Sequence, residues 1–137
     1  MYQVSKTFKI SYAHRLLNHP GKCKYLHGHN TRIVVTYQSP TLNDFGMVMD
    51  FDDISKAVKP ILDQLDHSTI LQITDPLYKE LCTLLQEGTV TYPRVVECSY
   101  PPTAEVLATW LADKLFPKPY QVDWWETDDN CGTWMRQ

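Results

Sequence analysis

Two histidines stand two positions apart in the run Cys23-Lys24-Tyr25-Leu26-His27-Gly28-His29, and a third, His14, ends an earlier strand-like stretch. In an extended strand, residues i and i+2 project from the same face, so His27 and His29 aim their imidazoles at one spot. If the segment Phe8 to His14 pairs antiparallel with Thr31 to Tyr37, His14 arrives beside them. A lone histidine is ordinarily a packed or surface residue, but three converging neutral imidazoles are half of a familiar chemistry. Three His ligands with a fourth position open to water or substrate mark a catalytic zinc, whereas structural zinc is usually closed by four ligands rich in Cys. Gly28 between the ligands is expected to let another group approach the backbone closely.

Cysteine usage separates one thiol from the rest. Cys23, Cys82, Cys98 and Cys131 are widely spaced and form no C-x-x-C pair, and the N-terminal run Met1 to Lys6 lacks the apolar core of a signal peptide. A disulfide framework is therefore not expected, and the protein is expected in the cytoplasm. Cys82 and Cys98 sit in apolar surroundings as small core residues, while Cys23 stands four residues before a candidate metal ligand.

The rest of the chain must position these groups. Its 137 residues, 43% hydrophobic, suffice for one domain spanning 1–137 with a sizeable core. A net charge of −3 without a Lys/Arg run gives no footprint for nucleic acid or an anionic membrane, and no apolar stretch approaches the roughly 20 residues of a membrane span. Neither partner is expected.

Strands are predicted over about residues 2–14, 29–38, 94–98 and 120–127, the second rich in β-branched residues at Ile33, Val34, Val35 and Thr36. The loop 15–26 between the first two is long enough for a flap. Asp50 is a predicted N-cap, and Phe51, Ile54, Ala57, Val58, Ile61, Leu62 and Leu65 repeat with helical period, interrupted by Pro60. A second helix is predicted from Asp75-Pro76 to about Gln86, ended by Gly88, and a third opens at Pro101-Pro102-Thr103-Ala104-Glu105 and stops at Pro117. The tail from Asp128 fits no predicted element. Long antiparallel strands with helices on one face make an α+β fold.

Taken in order, Ala13-His14-Arg15, Cys23 three residues before His27-Gly28-His29, Gly46 to Phe51, Leu65-Asp66-His67, Pro102 to Glu105 and Glu126-Thr127 resemble the 6-pyruvoyltetrahydropterin synthase-like enzymes. The match runs from about Phe8 to Thr127. The Cys23-to-His27 spacing resembles the 6-carboxytetrahydropterin synthases of the queuosine (7-deazaguanine) pathway. Departures fall at the longer connection 74–98, at Pro101, and at Asp128 to Cys131. The resemblance implies a tunnelling fold (T-fold): a four-stranded antiparallel sheet backed by two main helices, with subunits joining into β-barrels and commonly a homohexamer.

It further implies 7,8-dihydroneopterin triphosphate as substrate and zinc on His14, His27 and His29. Cys23, with its pKa lowered beside the metal, would abstract a proton from the side chain next to the ring. Asp66 orienting His67 would form the partner pair, contributed by a neighbouring subunit. Glu126 would read the pterin through two charge-assisted hydrogen bonds, with Thr103 adding one or serving only as a helix cap. Arg15, Lys22 and Lys24 are candidates for the triphosphate on charge alone. The product would be 6-carboxy-5,6,7,8-tetrahydropterin, with acetaldehyde released. The alternatives are a synthase that stops at 6-pyruvoyltetrahydropterin, a non-catalytic zinc- or pterin-binding module, and a metal-free aldolase of related fold, which the three histidines argue against.

Overall fold

The computed structural model describes residues 1–92 and 94–137. Two long strands, β1 (Tyr2–His14) and β2 (His27–Ser39), pair antiparallel along their whole length from Tyr2↔Ser39 to His14↔His27. Their alternation divides the sheet into two unlike faces. Phe8, Ile10 and Tyr12 of β1 and Ile33, Val35 and Tyr37 of β2 turn inward and are buried, with Lys9, Ser11, Asn30 and Arg32 on the other side.

Beyond β2 lie β5 (Gln121–Trp125) and β6 (Cys131–Met135), each antiparallel to its neighbour. Beyond β1 lie β3 (Ser68–Gln72) and β4 (Val95–Cys98), both parallel, giving the order β4-β3-β1-β2-β5-β6. The sheet is thus six-stranded and mixed, not the four-stranded antiparallel sheet expected. Two causes account for the difference. The run Ser68-Thr69-Ile70-Leu71 is too short for a period to show, and it becomes a strand because β1 offers it an edge; all four residues are buried. The tail forms β6 because Thr127 Oγ1 accepts the N–H groups of Asp129 and Asn130, folding 126–130 into a hairpin turn, and Trp134 then packs against the core. The stretch 94–98, expected as an antiparallel member, instead runs parallel at the far edge.

Three helices follow the predicted caps. α1 (Phe51–Leu62) starts at Asp50, whose side chain accepts from the Asp52 N–H, and carries Pro60 within its last turn. α2 (Pro76–Gln86) starts at Asp75, which accepts from the Leu77 N–H, and ends before Gly88 at φ +71°. α3 (Ala104–Lys114) starts at Thr103. α1 buries Ile54, Val58 and Leu62 and α3 buries Leu107, Ala108 and Leu111, all in one core with the inward face of the sheet. No residue of α2 is fully buried; it packs along β3 and β4. Fully buried side chains of the size of Trp124, Ile33 and Leu111 each contribute about 1.5–3 kcal/mol, which fixes the strand ends where the histidines sit.

Candidate metal centre

The inward strip of β1 and β2 changes character at one end. After Phe8, Ile10 and Tyr12 comes His14, and its register partner His27 faces it across the pair, with His29 opposite Tyr12. The three rings meet edge to face, with centroids 4.7–4.9 Å apart. One nitrogen from each lies within 4.8 Å of the others, forming a group that could hold a metal ion.

The backbone selects which nitrogens face inward. The Pro102 carbonyl accepts from His14 Nδ1 at 2.8 Å, and the Tyr25 carbonyl accepts from His27 Nδ1 at 2.6 Å. Carbonyls only accept, so both Nδ1 atoms carry the proton and both Nε2 atoms keep a free lone pair, the tautomer a metal ligand needs. His29 Nε2 stands 3.0 Å from His14 Nε2, close to the roughly 3.3 Å that separates two nitrogens bound tetrahedrally at about 2.0–2.1 Å. Burial depresses His14 to about 4, helped by the neighbouring His27 and His29, and burial also lowers His29. His14 is therefore held neutral well below ordinary pH, and His29 is shifted the same way. The donor set fits a metal ion.

Tyr12 backs the cluster. Its ring lies edge-on to His14 at 5.2 Å, and its hydroxyl, pushed up by burial, accepts from Trp124 Nε1 at 3.0 Å. A cleft of about 270 Å³ opens beside the histidines, lined by His14, Cys23, Thr103, Glu126 and Gly132. Cys23 reaches it from a single 3₁₀ turn, Lys22–Lys24, anchored where its carbonyl accepts from the Leu16 N–H at 2.8 Å. Glu126, the first residue after β5, places its carboxylate 3.7 Å from His14 Nε2 and 3.8 Å from His29 Nε2. Burial pushes that carboxyl up, against the pull of His27. Thr103 lines the cleft, but its hydroxyl accepts from the Val106 N–H as the α3 cap.

Asp66 and His67 are not part of this cleft. They follow α1 and lead into β3 along the edge of β1, where the Ser11 N–H donates to Asp66 Oδ1 at 2.9 Å and Asp66 Oδ2 lies 3.0 Å from His67 Nδ1. The Ser11 N–H, with His67, holds Asp66 below the usual carboxylate range. His67 adopts φ +55°, an uncommon conformation for a side-chain-bearing residue, and is 82% exposed. Its own N–H donates to Ser11 O at 2.7 Å. The pair is built and oriented, and it lines a depression with Lys9, Ser11, Asn30 and Arg32 rather than the cleft of His14, Cys23 and Glu126.

Three expectations need correction. Arg15 is no free cation: its guanidinium grips Asp75, which is 1% exposed and also caps α2. Lys24 stacks on Tyr25 and does not line the histidine cleft. Gly28 has no close neighbour, since an added Cβ would meet only Tyr12 O at an ordinary 3.5 Å. The close approach belongs to Gly132, a residue sequence reasoning missed. A Cβ there would fall 2.7 Å from both Ala104 Cβ and Glu105 N, so β6 touches the start of α3 at the cleft wall. Its only sequence signal was a glycine in a tail with no predicted strand.

Comparison with known proteins agrees with this geometry. The model of the family described as 6-pyruvoyl tetrahydropterin synthase matches residues 3–137. A 6-carboxy-5,6,7,8-tetrahydropterin synthase from Aquifex aeolicus is 32% identical over 129 residues, covering 83% of this chain and 78% of that protein. One from Haemophilus influenzae is 33% identical over 119 residues, covering 84% and 82%. In structure, an uncharacterized protein from Wolinella succinogenes superposes with TM-score 0.85 at 24% identity, covering 99% of this chain and 98% of that one. The Caenorhabditis elegans 6-pyruvoyl tetrahydropterin synthase superposes with TM-score 0.70 at 23% identity, covering 99% and 96%. The chain belongs to the 6-pyruvoyl tetrahydropterin synthase family and is an enzyme of that family.

Proposed function

We infer that this chain, as one domain across residues 1–137, is a zinc-dependent lyase that converts 7,8-dihydroneopterin triphosphate and water to 6-carboxy-5,6,7,8-tetrahydropterin, releasing acetaldehyde and triphosphate. The observation that carries it is the three-histidine group, whose His14 shares a cleft with Cys23 and Glu126, in a chain whose relatives bear that name. The converging ring nitrogens of His14, His27 and His29 suit zinc, and a bound zinc would supply a Lewis acid for the substrate side chain. Glu126 holds the pterin, its carboxylate accepting from the ring amino group and the adjacent N–H. Thr103, committed to its cap, contributes chiefly by fixing the start of α3. Cys23 takes the proton from the side-chain carbon next to the ring.

Asp66 orients His67 as the partner acid and base. Because the pair does not line its own cleft and His67 is largely exposed, it serves the cleft of a neighbouring copy, and the working unit is a homo-oligomer, a hexamer built on β-barrels. No helix among the described residues is long and apolar enough to cross a membrane. Incubation of the zinc-loaded protein with 7,8-dihydroneopterin triphosphate, with products identified by mass, tests the reading. Acetaldehyde with the 6-carboxy product supports it; 6-pyruvoyltetrahydropterin without acetaldehyde assigns the earlier-stopping reaction, and no turnover by protein carrying one zinc per chain leaves only a binding module.

A further inference from the structure

The sheet face opposite the histidines carries a second built feature. Lys9 and Arg32 are register partners on β1 and β2, and one step along, Ser11 and Asn30 are partners too, joined by a 2.7 Å bond from Ser11 Oγ to Asn30 Oδ1. These four side chains, with Asp66 and His67, line a depression of about 450 Å³. Arg32 is pre-set, its guanidinium stacked 4.6 Å from the Trp125 ring centroid, which lowers the entropy lost when it grips an anion. Among the described residues, no carboxylate lies within salt-bridge distance of Lys9 or Arg32. The carboxylate of Asp66 is taken up by the Ser11 N–H and His67, and Asp128 stands exposed at the rim. Two uncommitted cations and the Asn30 NH2 group, whose own oxygen is held by the Ser11 hydroxyl, thus face one space beside an imidazole. This is the donor set of an oxyanion site.

We propose that Lys9 and Arg32, with Ser11 and Asn30, form a polyphosphate subsite that receives the triphosphate of a substrate held on the histidines of a neighbouring copy. The inference rests on the functional reading above. Strand alternation puts this depression on the wrong side of the sheet for its own histidines. If Asp66 and His67 act on a neighbour's substrate, the cations lining the same depression are presented to that substrate as well, and its triphosphate is the group they fit. Lys22 and Lys24, on the loop that carries Cys23, are the competing cations.

Equilibrium dialysis of the zinc-loaded protein with two unreactive fluorescent probes, neopterin triphosphate and neopterin, separates these cases. Wild type is expected to prefer the triphosphate at least tenfold. Lys9→Met/Arg32→Met is expected to remove that preference while zinc content, oligomer size and neopterin affinity hold. Retention of the preference in this variant, or its loss in Lys22→Met/Lys24→Met instead, overturns the proposal. A parallel titration with inorganic phosphate, followed by phosphorus NMR, makes the two failures distinct. Phosphate binding that depends on Lys9 and Arg32 in a protein that binds no pterin upholds the anion site and refutes the pterin reading. Unchanged discrimination in a variant that still turns over substrate refutes the anion site alone.

Discussion

Removing one imidazole from the histidine cluster tests the metal assignment quantitatively. A ligand that binds only the native state stabilises it by RT ln(1 + [L]/Kd), about 2.7 kcal/mol at a free concentration of 100 times Kd. With an unfolding entropy of about 2.1 cal/mol/K per residue, 137 residues give about 0.29 kcal/mol/K, so zinc at that concentration should raise the melting temperature by about 9 °C over the chelated protein. Loss of an outer hydrogen-bond partner alone costs a metal site 10–100-fold, so His27→Ala, which deletes a ligand, should weaken binding by about 100-fold or more. At the same free zinc the shift then falls to about 1 °C. Differential scanning calorimetry with buffered zinc reads this directly, and metal analysis after gel filtration should give about one zinc per wild-type chain and almost none for the variant. His19→Ala, a histidine outside the cluster, should keep the full shift. A His27→Ala protein that retains both the 9 °C shift and its zinc would refute the ligand assignment.

Metal-free protein should lose stability as pH falls from 6.5 toward 4, because the unfolded His14 takes up a proton that the buried native ring refuses until about 4. The window of about 2.5 units corresponds to roughly 3 kcal/mol, the sign for His29 is the same, and Glu126, pushed up by burial, acts oppositely; urea titrations of wild type against His14→Asn should isolate the His14 share. Gly132→Ala forces a Cβ against the backbone of Ala104 and Glu105 and should cost about 1–3 kcal/mol by chemical denaturation, whereas Gly28→Ala should leave the metal-bound single chain close to wild type. Cys23→Ala should keep zinc and lose turnover, and co-expression with His67→Ala should restore activity, since some interfaces then pair an intact Cys23 with an intact His67. A mixed oligomer of two inactive parents that stays inactive would place the relay within one chain.

The histidine cluster was legible because it depends on two local rules that tertiary structure seldom overrides. Period-two alternation aligned His27 with His29, and the long β-branched run of β2 left β1 as its natural antiparallel partner, bringing His14 into register. The caps at Asp50, Asp75 and Thr103 were legible for a similar reason, since each satisfies N–H groups within its own turn. Strands β3 and β6 were hidden because an edge defines them: five residues each, they carry no period of their own and are strands only where β1 and β5 stand ready to pair.

The same distinction explains which site residues chemistry alone could place. Glu126 sits next to His14 and His29 because the hairpin turn after β5 brings it there, and that turn is closed by Thr127 Oγ1 accepting the Asp129 and Asn130 N–H groups. Arg15 looked like a phosphate ligand because charge is visible in sequence and its neutralisation is not; Asp75, sixty residues on, claims it. Lys9 and Arg32 show the converse. Nothing in the sequence pairs them, yet strand register sets them side by side on the face that also carries Asp66 and His67. Since a β-strand cannot turn successive side chains to one side, the alternation that gathers three histidines under the helices must gather another set of polar groups on the bare face. A chain that completes a neighbour's cleft needs such a face, one that presents groups outward and leaves its own metal ligands untouched.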